Sequence, residues 1–155
     1  MRSKKPRKRN SSVDLIYKSR IVSRMINTVM LGGEKSIARN IVYKAINSLS
    51  EEGKDNLKMF EQAVKNVMPQ QEVRSKRIGG ATYQVPMPLR HDRSEALAVR
   101  WIVSSARSKK GKEMSKKLSE ELKNAYQGIG DSIKKKEDTH RMAEANRAFA
   151  HFSRS

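Results

Sequence analysis

Cysteine is absent from all 155 residues, which excludes disulfides, thiol catalysis and every zinc site that depends on a thiolate ligand. Long apolar runs are absent too. Uninterrupted apolar stretches are only a few residues long, Ile102-Val103 and Ala148-Phe149-Ala150 among them, so no segment is long enough to cross a bilayer. The first residues, MRSKK, lack the apolar core of a secretion signal. These absences predict a soluble protein, with the cytoplasm as its expected compartment.

Acidic residues are scarce relative to basic ones. The chain has 16 Asp and Glu against 34 Lys and Arg, a formal net charge of +18. An excess of this size calls for a polyanionic partner, because it attracts nucleic acid without regard to sequence and repels itself in a compact chain. A membrane surface is the competing polyanion, and the lack of any spanning or signal segment disfavours it.

Apolar periodicity predicts a folded, mainly α-helical protein with a modest core. Hydrophobic residues make up 36% of the chain and recur at helical spacing in six segments. The first predicted helix starts near Ser19 and stops at 32–33, the second points Ile37 inward and ends near Gly53, and the third stops before Pro69.

The later helices follow the same logic. Asp92 and Glu95 have the spacing of a capping box, which predicts that Asp92 opens the fourth helix, with Trp101 in the core. The fifth helix should bury Ile129 near its end. The sixth should run from near Ser132 to Phe149.

A β-ribbon is predicted at about 72–88, between helices three and four. Two β-compatible runs flank Gly79-Gly80, and a glycine pair supplies the positive φ angles of a tight hairpin turn. Pro86 and Pro88 are expected to end the returning strand. A two-stranded ribbon is marginal in water, so it should project from the helical body or lean on a partner.

Residues 1–10 are predicted to form a basic arm, and residues 11–155 a single helical RNA-binding domain. The arm MRSKKPRKRN contains six bases, no acid and a proline, and cannot contribute a core. It is expected to become ordered when a phosphate backbone is present.

Catalytic and metal-binding patterns are weak. The histidines, His91, His140 and His151, are scattered, and although His140 and Glu144 share a helix face, the surrounding bases oppose a cation. No phosphate-binding loop, dinucleotide turn or nucleophile elbow is present. The sequence therefore predicts no enzyme, no metal and no cofactor.

Candidate phosphate contacts occur in several separate elements, which suits a folded polyanion held from several sides. They comprise the arm, the ribbon, a stripe of arginines seven residues apart on helix four, a basic loop and the last helix. Tyr83 could stack on an unpaired base or pack across the strands. The predicted RNA-binding residues are Arg2, Lys4, Lys5, Arg7, Lys8, Arg9, Lys35, Arg74, Lys76, Arg77, Tyr83, Gln84, Arg93, Arg100, Arg107, Lys109, Lys110, Lys112, Lys134, Lys135, Lys136, Arg141 and Arg147.

Three long stretches carry a family resemblance: VRSKRIGGATYQVP (73–86), LAVRWIVSSAR (97–107) and KKKEDTHRMAEANRAFAHF (134–152). In this order and spacing they closely resemble bacterial small-subunit ribosomal protein seven. Two departures stand out. Met87-Pro88 replaces a pattern without that proline, which should shorten the second strand, and Phe152-Ser153-Arg154 replaces the usual C-terminus.

The resemblance implies a six-helix body with a protruding ribbon. It also implies binding to the 3′ major domain of small-subunit ribosomal RNA, nucleation of the subunit head, and a place beside the exit transfer-RNA site and messenger-RNA path. Small-subunit proteins eleven and nine are the implied neighbours. The rival interpretations are a DNA-binding or nucleoid protein, which shares the charge and helices, and a nuclease or RNA-modifying enzyme.

Overall fold

The computed structural model describes residues 12–50 and 55–154, so the predicted arm and Gly53 lie outside the described residues. Within them the chain forms helices, a two-stranded ribbon and a final 3₁₀ stretch that we call the C-terminal segment. In chain order these are α1 Arg20–Val29, α2 Lys35–Asn47, α3 Asn56–Val67, β1 Gln71–Ile78, β2 Ala81–Pro88, α4 His91–Ser108, α5 Met114–Tyr126, α6 Asp131–Ala145 and the C-terminal segment Arg147–Arg154. The mainly helical fold with a ribbon between α3 and α4 is confirmed.

The core lies where the apolar faces of the helices meet. Helix α4 contacts α1, α3, α5 and α6, and is therefore the central element of the body. Phe60, Ile102 and Leu118 are completely buried, as the periodic spacing of apolar residues predicts for faces that turn inward. Trp101 lies at the edge of this core, only partly buried.

Two apolar residues predicted to be buried are exposed, so those predictions are wrong. Ile37 is 53% exposed because the buried face of α2 starts one residue later, at Ala38, and continues through Val42. Ile129 is 55% exposed because α5 already ends at Tyr126, and the turn that follows carries Ile129 away from the core.

The start of α4 also differs from prediction. The residue before the helix is Arg90, whose extended backbone (φ −72°, ψ 147°) lets the helix begin at His91. Asp92 therefore lies inside the first turn, where a capping box cannot form, and the helix has no side-chain cap. The carboxylate of Glu95 instead pairs with Arg24 of α1. A tertiary ion pair has replaced the predicted local hydrogen bonds.

The sixth helix is shorter than predicted. It ends at Ala145, and the backbone of Asn146 (φ −101°, ψ 13°) leads into the C-terminal segment, so Phe149 is not α-helical. Phe149 packs on the ribbon ring Tyr83, with ring centroids 5.2 Å apart. This tertiary contact accompanies the change from α to the tighter 3₁₀ winding.

The ribbon is antiparallel, with a register that runs from Gln71 opposite Pro88 to Ile78 opposite Ala81. Gly79 and Gly80 form the turn with φ of 56° and 90°, as expected for a two-residue hairpin turn.

Pro88 is the last residue of β2, as predicted, whereas Pro86 lies inside the strand and does not end it. They are two residues apart, so their nitrogens face the same side of the strand, and the outer edge of a two-stranded ribbon needs no donors.

The base of the ribbon is anchored in the body while its tip reaches out. Val85 is completely buried, β1 packs against α6, and β2 packs against the C-terminal segment. Both turn glycines are exposed. No helix among the described residues is long and apolar enough to cross a membrane.

Candidate nucleic-acid interface

An open cleft of about 390 Å³ lies between α1 and the first half of α4. Four arginines line it, and two of them, Arg24 and Arg90, are not among the predicted RNA-binding residues. The lining residues are Arg24, Thr28, Arg90, Asp92, Arg93, Ala96 and Arg100.

A second cleft, of about 400 Å³, lies between the ribbon base and the start of α4. It includes Glu72 and Arg74 of β1 and shares Arg90 and Arg93 with the first cleft. The two clefts adjoin at these arginines, and we call them together the arginine cleft. Its arginines are Arg24, Arg74, Arg90, Arg93 and Arg100.

Arginines outnumber carboxylates along this surface by five to three, the acids being Glu72, Asp92 and Glu95. The side chains of Arg90 and Arg100 are exposed and have no hydrogen-bond or ion-pair partner among the described residues. Guanidinium groups offer several donors that match phosphate oxygens, so the cleft is suited to a phosphate backbone.

The predicted stripe on α4 is exposed but divided in role. Arg93 and Arg100 both line the arginine cleft. Arg107 turns to α1 instead, where its NH2 donates to the carbonyls of Thr28 (3.3 Å) and Val29 (3.1 Å). These carbonyls end a helix and lack partners within it, so Arg107 serves as a cap for α1.

The predicted ribbon contacts lie in different environments. Arg74 pairs with Glu72, Arg77 is exposed near the tip, and Gln84 is hydrogen-bonded to Ser75 across the strands. The cross-strand neighbours Lys76 and Tyr83 both meet the C-terminal segment. Lys76 Nζ donates to the Phe152 carbonyl at 2.9 Å, and the Tyr83 ring packs on Phe149 and Phe152.

The basic loop between α4 and α5 is partly neutralised from within the protein. Lys109 Nζ lies 2.7 Å from Oε2 of the fully buried Glu121, and Lys112 pairs with Glu120. Lys110 is exposed. Of the three predicted contacts, Lys110 is therefore the one held by no acid among the described residues.

Predicted cations of α6 and of the C-terminal segment are similarly mixed. Lys134, like Lys35 on α2, is exposed. The other four have internal contacts: Lys135 with the Ser104 hydroxyl (3.4 Å), Lys136 with the Asn66 carbonyl (2.7 Å), Arg141 with Asp138 (3.7 Å) and Arg147 with Glu144 (3.2 Å). The predicted arm residues, Arg2 to Arg9, lie outside the described residues.

His140 has a structural contact. Its Nε2 accepts the backbone N–H of Gln70 at 3.0 Å, which ties α6 to the start of the ribbon. Burial, reinforced by the charge of Lys136, lowers the pKa of His140 and favours the neutral ring that this bond needs. Residues 12–50 and 55–154 contain no group of three or more His, Asp or Glu that could hold a metal ion.

The missed arginines differ in the signal that could have revealed them. Arg90 lies three residues before Arg93, so it falls on the same side of the chain as the stripe. Arg24 reaches the cleft only through the packing of α1 on α4, a contact across 68 residues of sequence. No local pattern reports such a contact.

These features define a class: a small, basic, mainly helical protein whose ribbon and central helix share an arginine-lined surface. Comparison with known proteins narrows it. The family model described as Ribosomal protein S7p/S5e matches residues 1–147.

Curated relatives match over nearly the full length. Small ribosomal subunit protein uS7 of Fervidobacterium nodosum is 56% identical over 153 residues, covering 98% of this chain and 99% of that protein. The protein of the same name from Thermotoga maritima is 52% identical with the same coverage. That of Pelotomaculum thermopropionicum is 51% identical over 146 residues, 94% of each chain.

The chain belongs to the ribosomal protein S7p/S5e family. It is a structural, non-enzymatic protein of the small ribosomal subunit and functions in translation. The family resemblance drawn from the three motifs is confirmed, as is the prediction that the chain is not an enzyme.

Proposed function

We propose that this protein binds the 3′ major domain of small-subunit ribosomal RNA, nucleates folding of the subunit head, and lies beside the exit transfer-RNA site and messenger-RNA path. Small-subunit proteins eleven and nine are its proposed neighbours there. The observation that carries the RNA-binding proposal is the arginine cleft, whose lining extends from the ribbon base, across the start of α4, to α1.

The shape of this surface favours structured RNA over duplex DNA. A DNA reader usually inserts one recognition helix into a groove. Here the cations come from a ribbon, a helix start and a neighbouring helix, and they converge on a concave surface. An irregular RNA fold can present phosphates to such a surface from several directions.

We further propose that residues 1–10 act as a second RNA contact, an arm added to the single helical domain. Its six bases would neutralise further phosphates. Deleting the arm should therefore flatten the dependence of RNA affinity on salt concentration without lowering the melting temperature.

The direct test replaces Arg90 and Arg100 with glutamine. Both side chains are exposed, so the body should stay folded, while two charge-assisted phosphate contacts are lost. Affinity for the isolated 3′ domain should fall about 10- to 100-fold in a filter-binding assay. The control changes Lys58 and Lys65, exposed on α3, to glutamine and removes the same charge elsewhere.

The affinity of the protein for three nucleic acids should be compared at equal salt concentration: the 3′ domain, an unrelated structured RNA, and duplex DNA. The wild-type protein should prefer the 3′ domain, with a log-log salt slope near −4 if about six phosphates are contacted. A preference for duplex DNA, or an equal loss of binding in both double variants, would contradict the proposal.

A further inference from the structure

Two buried carboxylates contact the arginines of the arginine cleft. Glu72 of β1 and Glu95 of α4 sit among the arginines of the arginine cleft, and the side chain of each is only 11% exposed. An acid beside a polyanion repels it, so these positions need a physical reason. The contacts of each carboxylate supply one.

Glu72 bonds to arginines from two different elements. Its Oε1 accepts from Arg74 on the same strand, at 2.6 Å from Nε and 2.5 Å from NH2. Its Oε2 accepts from Arg93 of α4, at 3.3 Å from Nε and 3.2 Å from NH2. The carboxylate thus joins the base of the ribbon to the first turn of α4. Glu95 holds Arg24 in the same cleft, at 2.5 Å.

The two guanidinium groups remain accessible although they are held. The side chain of Arg74 is 56% exposed and that of Arg93 is 46% exposed. A guanidinium has five N–H donors, and Glu72 uses two from each arginine. The remaining donors are available to phosphate oxygens.

Holding an arginine in advance favours binding. A free arginine loses rotamer freedom when it contacts a ligand, and that loss weakens the complex. When a buried carboxylate has already fixed the side chain, this entropy is lost during folding and its loss no longer opposes binding. The repulsion from the acid is small in comparison, because its charge is already matched by two guanidinium groups.

We propose that Glu72 is a positioning residue for RNA recognition: it holds Arg74 and Arg93 side by side so that the arginine cleft binds neighbouring phosphates of a structured RNA backbone. This inference rests on the proposed function. It predicts an effect opposite in sign to that of charge alone, since removing an acid from an RNA-binding protein ordinarily strengthens RNA binding.

The experiment compares Glu72→Gln with Glu137→Gln, which removes one negative charge from an exposed position on α6. Filter binding should use the 3′ domain and an unrelated single-stranded RNA. We expect Glu72→Gln to weaken binding to the 3′ domain about tenfold while binding to the unrelated RNA is unchanged or tighter. Glu137→Gln should weaken neither. Tighter binding of Glu72→Gln to both RNAs would overturn the inference.

A second variant covers a failure to fold. Glu72→Asp keeps the charge but shortens the side chain by one methylene, so it cannot reach both arginines. Circular dichroism shows which variants fold. If Glu72→Gln does not fold, the RNA affinity of Glu72→Asp decides the question. Wild-type affinity from Glu72→Asp would overturn the inference. A wild-type protein with no preference for the 3′ domain would instead overturn the proposed function, and the inference with it.

Discussion

Glu121 of α5 is the buried acid whose removal should damage the fold most. Its side chain is completely buried, and its Oε1 accepts from Ser132 twice, from the backbone N–H at 3.0 Å and from the hydroxyl at 2.7 Å. Its Oε2 pairs with Lys109 of the basic loop at 2.7 Å. One carboxylate thus binds the first turn of α6, which has no side-chain cap of its own at Gly130, and also fixes the loop.

The perturbation is Glu121→Ala. Breaking a buried ion pair by removing one partner costs about 3–5 kcal/mol, and hydrogen bonds to a charged group contribute about 1.5–3 kcal/mol. Lys109 is partly exposed, so its ammonium can return to water, which places the loss at the lower end, about 3 kcal/mol. A protein of this size should then melt about 6–12 °C lower. Glu120→Ala, which removes a half-exposed neighbouring acid, should leave the melting temperature nearly unchanged.

The same contacts set a pH dependence. Burial alone would raise the pKa of Glu121, but the hydrogen bonds from Lys109 and Ser132 outweigh it and lower the pKa below the ordinary value of 4.5. A carboxylate whose pKa is lower in the folded protein than in the unfolded chain stabilises the fold at pH values above its unfolded pKa. This contribution disappears as the pH falls through the folded pKa.

The assay is urea unfolding of the wild type and of Glu121→Gln, which keeps the shape but not the charge. The difference in unfolding free energy should be largest above about pH 5 and should shrink below about pH 4. An unchanged melting temperature for Glu121→Ala at pH 7 would refute the reasoning. So would a wild-type advantage over Glu121→Gln that persists undiminished at low pH.

Three further predictions concern the ribbon and its supports. Replacing Gly79 and Gly80 by valine should disrupt the turn, since both have positive φ, yet helical circular dichroism should persist because the tip is exposed; loss of that signal would contradict the prediction. Tyr83→Ala should free the C-terminal segment, seen as faster trypsin cleavage there, with the rest of the chain equally resistant. The lowered pKa of His140 means that the unfolded chain binds protons more readily, so stability should fall as the pH drops below about 6.5. His140→Gln should abolish that fall, and a wild-type urea midpoint that stays flat from pH 7 to 5.5 would contradict it.

Local patterns were sufficient for most of the fold. Helix α3 ends at Val67 because Pro69 follows, and the ribbon turns at two glycines because each adopts positive φ. Both signals act within a few residues. The same holds for the apolar faces, since the 3.6-residue period specifies which side chains point the same way before any partner is known.

Predictions failed where distant residues determine the outcome. The spacing of Glu95 from Asp92 predicts a capping box, but the carboxylate of Glu95 pairs with Arg24 of α1 instead. Phe149 has helical spacing, yet it leaves the helix and packs on Tyr83. In each case the local interaction contributes about 1 kcal/mol, and a tertiary contact of comparable size is enough to replace it.

The arginine stripe of α4 shows how far residue spacing can identify an interface. Arg93, Arg100 and Arg107 do lie on one side of the helix, as a period of seven requires. A shared side of the helix does not make all three available to RNA, because Arg107 already donates hydrogen bonds to the last carbonyls of α1. Substituting all three would therefore remove a helix cap together with two cleft arginines, and a loss of RNA binding could then reflect a weakened fold. Arg100, exposed and without a partner among the described residues, is the position where charge can be removed with the least effect on stability.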